Sequence, residues 1–297
     1  LAVAIGVFKP KAVARILDKD ALSDTFRCAM LMAYLAFKIH GDLPGVDFVV
    51  VHKNLAQDDV DFLRDAGMKT MEGYTPPVET YGDEFGAGAL IKINAAAMTQ
   101  YERVLILDMD MFAVESLRGH FLHEFPESLL TSAHSSSPIS GNWLLVRPDI
   151  KAFQEMKRLA ETFDWSFERG WAGKGLMVWP ALPHEPGAPC NAGYLNGGDE
   201  CRPTAFWLER CRRYGITNWV HMGVWEVQGI FWYVYNISGL GTARVVQDYH
   251  DPATGAQVLG QGLPHWWHMQ GGCKPWIFKE GAEGNIKQEW CVRAQSW

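Results

Sequence analysis

Two short stretches carry residue types whose spacing suits chemistry on a charged substrate. In the first, Asp108-Met109-Asp110 follows the unbroken apolar run Val104-Leu105-Ile106-Leu107. Such a run reads as a central strand buried on both faces, which places the acids at a strand's carboxyl end. Open α/β sheets bind their ligands there. In an extended chain, residues two apart point the same way, so Asp108 and Asp110 can face one cation across Met109. Two hard oxygen donors suit Mn²⁺ or Mg²⁺, which in turn bridges a diphosphate. An Asp-x-Asp pair alone also fits a surface turn or a helix cap; the buried run ahead of it argues for the ligand site. The second stretch is His268-x-x-Gly271-x-x-Lys274-Pro275-Trp276.

That second stretch resembles the His-x-x-Gly-x-x-Lys-Pro-Trp motif of glycosyltransferase family 8, the glycogenin-like enzymes, with every fixed position present. At average amino-acid usage the match arises by chance in fewer than about one in ten thousand chains. The resemblance implies a GT-A fold: a mixed, mostly parallel sheet flanked by helices. It also implies retaining transfer of a hexose or pentose from a UDP-sugar to a hydroxyl on a glycan, protein or lipid-linked sugar. The divalent ion, Mn²⁺ or Mg²⁺, would be held by Asp108, Asp110 and His268. Lys274 would neutralise the leaving diphosphate, and Gly271 would let the backbone approach phosphate. A zinc cluster of His265, His268, Cys273 and Cys291 is the alternative for the histidine, but its spacing fits no common zinc pattern.

The likeness runs upstream in the same order. Lys92, Thr99-Gln100-Tyr101 and the Asp-x-Asp stretch are similar to a Lys, Thr-Gln-Tyr and Asp-x-Asp series, which implies a donor contact for Lys92. Ser23-Asp24-Thr25-Phe26 resembles the Asn-Asp-x-Tyr segment that cradles uracil, so Asp24 and Phe26 are the implied base contacts. Ile139-Ser140-Gly141-Asn142 is similar to an Asn-Ser-Gly segment, one residue out of register. Val227-Gln228-Gly229 is similar to an Asp-Gln-Gly segment with Val227 in the acid's place. Gln228 is therefore expected to line the sugar pocket. Glu226 can stand in for the acid if the segment is extended, whereas in a helix the two side chains diverge.

The elements that must position these residues alternate along the first half, as in a parallel sheet covered by helices. Strands are expected at 1–8, 47–52, 104–107 and 143–146. A helix capped by Ser23-Asp24 should run to about residue 39 and be largely buried. Others are expected at 58–66, 89–100 and 148–162, with a loop at 74–88. Residues 165–220 read as loops, and 228–235 as helix or strand. We expect one catalytic domain over 1–297, its nucleotide-sugar half ending near 115 and its acceptor and metal-completing half spanning 116–297.

The net charge of −7, without a long basic run, excludes a nucleic-acid groove. No apolar run approaches the length of a membrane span. The chain starts at Leu1 rather than Met, which leaves room for an upstream signal or anchor. Cys190 and Cys201 bracket a loop suited to a disulfide, and Asn236-Ile237-Ser238 is a glycosylation sequon. These features tilt the expectation toward the secretory or Golgi lumen, with cytoplasm as the alternative; a homodimer is admitted. Two other classes stay open. One is a haloacid-dehalogenase-type phosphatase with Asp108 as nucleophile. The other is a catalytically degenerate carbohydrate-binding protein, suggested by Val227 and 13 Trp.

Overall fold

A computed structural model describes residues 1–8, 19–40, 44–77, 84–109, 111–113, 116–118, 121, 125–132, 139–162, 227–246, 248–250, 257–259 and 266–268. Its centre is a seven-stranded sheet in the order β3-β2-β1-β4-β7-β6-β8. The strands are β1 (Ala2–Phe8), β2 (Asp47–Lys53), β3 (Lys69–Glu72), β4 (Val104–Leu107), β6 (Leu129–Ser132), β7 (Trp143–Val146) and β8 (Ala243–Val246). All neighbours are parallel except β7, which is antiparallel to both β4 and β6. This is the mixed, mostly parallel sheet flanked by helices that the sequence predicts.

The alternation in β1 sets the depth of its two faces. Val3, Ile5 and Val7 pack toward helix α1 (Lys19–His40), together with Met30, Ala33 and Phe37. The opposite row is small: Ala2, Ala4 and Gly6. A Cβ on Gly6 would lie 2.7 Å from Ile91 Cγ2. The small row therefore lets the segment Leu90–Ala97 lie close against the strand. Helices α2 (Gln57–Asp65), α3 (Glu84–Ala89), α4 (Ile150–Thr162) and α5 (Val227–Trp232) complete the described helical cover. No helix of the described residues is long and apolar enough to cross a membrane.

Four expectations need correction. Helix α1 begins at Lys19, so Ser23 and Asp24 lie inside it and do not cap it. Its outer side carries Met32, Leu35 and Ile39 exposed, so it is buried on one face only. Glu84–Ala89 is helical where a loop is predicted. Leu90–Ala97 is a 3₁₀ segment, not an α-helix, and Met98 N closes it by donating to Ala95 O. The ambiguous 228–235 region resolves as α5, followed by a π turn at Tyr233–Ile237.

A second sheet runs β5-β11-β10-β9, with β5 (Met111–Ala113), β9 (Asp248–His250), β10 (Gln257–Leu259) and β11 (Trp266–His268). Of the cysteines, Cys28 is described and is a free, exposed thiol; Cys190 and Cys201 lie outside the described residues.

The Tyr101 hydroxyl donates to Asp47 Oδ2 at 2.8 Å, and Lys69 Nζ donates to the same oxygen at 2.5 Å. Burial, and then the hydrogen bond to the Asp47 carboxylate, push the Tyr101 phenol up to about 12. A raised folded-state pKa stabilises the fold fully below a free phenol's value of about 10, and that stabilisation is lost as pH climbs toward 12. Chemical denaturation at pH 9 and pH 11.5 should show a smaller alkaline loss in Tyr101→Phe than in the wild type. Equal losses would mean that the contact contributes nothing.

Candidate active site

From β1 the chain winds outward to β2 and β3, then crosses to β4 on the other side of β1. The strand order reverses at that point, which opens a crevice at the carboxyl ends of β1 and β4. Asp108 leaves β4 into this crevice. Its backbone N–H donates to Asn142 O at 3.0 Å, and its carbonyl accepts from Met111 N at 3.1 Å. The second bond closes 108–111 into a turn. The strand geometry expected to run on into Asp108 does not do so, because β4 stops at Leu107.

Lys92 is the second described group. Its side chain is 8% exposed and forms an ion pair with Asp108 Oδ1. The same ammonium donates to Gly141 O at 2.5 Å. A buried ammonium needs a carboxylate and further acceptors to offset its lost hydration, and this one has both. Asp108 is 37% exposed, so its carboxylate still opens on the crevice.

Gly141 belongs to the loop entering β7, which is at this end because β7 is antiparallel. Ser140 Oγ donates to Asn142 Oδ1, and the Thr131 hydroxyl spans the carbonyls of Ser140 and Trp143, both at 3.0 Å. Gly141 has no room for a side chain: a Cβ would lie 2.9 Å from Gln228 Cδ and 2.9 Å from Val227 Cγ1. Gln228 thus packs beside the carbonyl that holds Lys92. Its Oε1 is buried and has no hydrogen-bond partner among the described residues. Val227, where the likeness would place an acid, is buried apolar.

His268, the first residue of the distant motif, ends a strand of the second sheet. β11 pairs antiparallel with β5, setting His268 opposite Met111, the residue after Asp110. The placement of Asp110 and the side chain of His268 lie outside the described residues, as do Glu226, Gly271, Lys274 and the side chain of Asp24. Among the described residues no group of three metal-ligating side chains occurs. A carboxylate oxygen is the hard donor that a divalent cation such as Mn²⁺ or Mg²⁺ takes. Asp108 offers a part-exposed carboxylate, and the β5–β11 register brings the backbone of His268 beside the Asp-x-Asp turn. Phe26 and Met109 are partly buried and pack on the core between the sheet and α1.

The structure thus brings together Lys92, Asp108 and Gln228, and by backbone register His268. Gly141 and Asn142 join them although they were not predicted as site residues. Their signal was the Ser140-Gly141 match, displaced by one position. Asn94 has no sequence signal beyond its lying two residues after Lys92.

No protein-family model matches the chain, and no curated protein matches it. Several solved structures are similar to it. An active-site variant of LgtC is 10% identical, with 100% of this chain and 96% of that chain covered and a TM-score of 0.43. The glycosyltransferase GlyE of Streptococcus pneumoniae TIGR4 is 12% identical, with a TM-score of 0.46; 97% of this chain spans 58% of GlyE. The galactosyltransferase LgtC with donor and acceptor sugar analogues is 11% identical, with 55% of this chain and 67% of that chain covered and a TM-score of 0.38.

Proposed function

We propose that the chain is a retaining glycosyltransferase of the glycogenin-like type, moving a sugar from a UDP-sugar to a hydroxyl acceptor with a divalent cation. The observation that carries this reading is the pairing of His268 with Met111. It sets the backbone of His268, the first residue of the His-x-x-Gly-x-x-Lys-Pro-Trp motif, opposite Met111, the residue that follows Asp108-Met109-Asp110 in the sequence.

Asp108, Asp110 and His268 would hold Mn²⁺ or Mg²⁺, which supplies Lewis-acid stabilisation of the donor's diphosphate. Lys274 adds a positive charge where negative charge grows as UDP departs. Lys92 holds Asp108 and reaches the sugar-phosphate region. Gln228 Oε1, without a hydrogen-bond partner among the described residues, accepts a hydrogen bond from the transferred sugar and steadies it as positive charge develops at its anomeric carbon. The departing phosphate takes the acceptor's proton, so no side-chain base is needed. Residues 1–297 act as one catalytic unit, its nucleotide-sugar half ending near 115.

One observation favours a second reading, a sugar-binding protein without transferase activity: Val227 is buried against Gly141 in the place of the acid. A screen of UDP-glucose, UDP-galactose and UDP-xylose, with and without Mn²⁺, separates the two. We expect Mn²⁺-stimulated release of UDP from at least one donor. Binding of donors with no turnover of any would favour the second reading.

A further inference from the structure

Asn94 is 4% exposed in the 3₁₀ segment, and its amide is fully engaged. Nδ2 donates to Tyr74 O at 2.8 Å and to Ile91 O at 2.6 Å, while Oδ1 accepts from Tyr74 N at 2.8 Å. The Ile91 carbonyl belongs to the peptide that joins Ile91 to Lys92. Anchoring that carbonyl fixes the plane from which the Lys92 side chain departs. The other anchor, Tyr74, follows β3 through Gly73, where a Cβ would lie 2.7 Å from Val51 Cγ1, 3.0 Å from Asn94 Nδ2 and 3.1 Å from Ile91 Cγ1. Gly6 faces Ile91 Cγ2 from below, with Lys92 Cγ 3.5 Å from its Cβ position. Ile91 is thus held by two glycine-width gaps and one amide, and the next residue sends a buried ammonium to Asp108 and Gly141.

From this arrangement we infer that Asn94 is the positioning residue for Lys92: its side-chain amide sets the Ile91–Lys92 peptide so that the ammonium meets Asp108 and the Gly141 carbonyl together. Asparagine is a poor helix former because its side chain competes for backbone partners. Here that competition is the device. The amide draws the Ile91 carbonyl toward Tyr74 and fastens the segment to the end of β3. The consequence for turnover rests on the reading that Lys92 meets the sugar donor; the positioning itself does not.

The test has two parts. In ¹⁵N-labelled protein the Lys92 ammonium, buried and hydrogen-bonded, should give a slowly exchanging side-chain resonance, assigned by its absence in Lys92→Met. In Asn94→Ser, with cooperative melting retained, that resonance should shift or vanish. Asn94→Asp keeps the shape and the bond from Tyr74 N but has no N–H to donate to the Tyr74 and Ile91 carbonyls, so it should give the same result if the serine variant does not fold. An unmoved ammonium resonance in a folded Asn94 variant overturns the inference, whatever the protein's activity. Where transfer is measurable, Asn94→Ser should lower kcat about 10- to 100-fold with donor KM little changed, the scale expected of a displaced contact. In the Lys92→Met background the same change should cost nothing further. Costs that simply add would show that Asn94 acts on the fold and not through Lys92. Absence of any transfer in the wild type would count against the proposed function and leave the resonance test standing.

Discussion

Asp108→Ala should abolish sugar transfer and also destabilise the fold by about 2–3 kcal/mol. Lys92→Met should lower transfer by about two orders of magnitude with less loss of stability. The asymmetry comes from exposure within the pair. Lys92 is 8% exposed, so removing its carboxylate leaves an ammonium held by the Gly141 carbonyl alone, with little water to replace the lost partner. Asp108 is 37% exposed, and after removal of the lysine its carboxylate can be hydrated from the crevice. Urea unfolding of both variants beside the wild type measures the difference. Equal losses of stability would show that the ammonium is not dependent on Asp108. Transfer at the wild-type rate in Asp108→Ala would remove that carboxylate from the site.

The next largest effect concerns Gln228 and the glycine beneath it. Gln228→Ala should lower turnover about 100-fold while leaving UDP affinity little changed, because the amide is expected on the sugar and not on the nucleotide. Gly141→Ala should produce a similar catalytic loss through packing. Its new Cβ would press on Gln228 Cδ and Val227 Cγ1, both at 2.9 Å. The glutamine can swing away, but the short, buried valine cannot, so a cost of about 1–3 kcal/mol in stability should accompany the displaced amide. Steady-state kinetics together with melting of both variants makes the comparison. If Gln228→Ala turned over like the wild type, the sugar-facing group would have to be another residue.

The sequence made the strand leading into Asp108 readable because a short run of four apolar residues, two of them β-branched, fits a strand buried on both sides. It did not show that the strand stops at Leu107 and that Met111 N donates back to Asp108 O, since nothing in Asp-Met-Asp marks that end. Trp143–Val146 was readable as a strand, but a run buried on both faces carries no mark of direction. The antiparallel setting of β7, which brings Gly141 to Lys92, was therefore hidden. The alanines at 95–97 predict an α-helix from propensity, and tertiary contacts override it. The close approach allowed by Gly6 and Gly73 and the Asn94 bond to Ile91 O accompany a tighter 3₁₀ segment. The three-residue strands β5 and β11 are too short to read from alternation, so the meeting of His268 with Met111 was legible only through the motif. Val227 and Gln228 are helical, while Glu226 lies outside the described residues.

The most direct test of the account is calorimetric titration of UDP into the chain with Mn²⁺ and with a chelator, repeated in His268→Ala. Mn²⁺ should strengthen UDP binding in the wild type, and His268→Ala should lose most of that gain while melting as the wild type does. UDP binding of equal strength with Mn²⁺ and with chelator, or a full Mn²⁺ effect without His268, would contradict it.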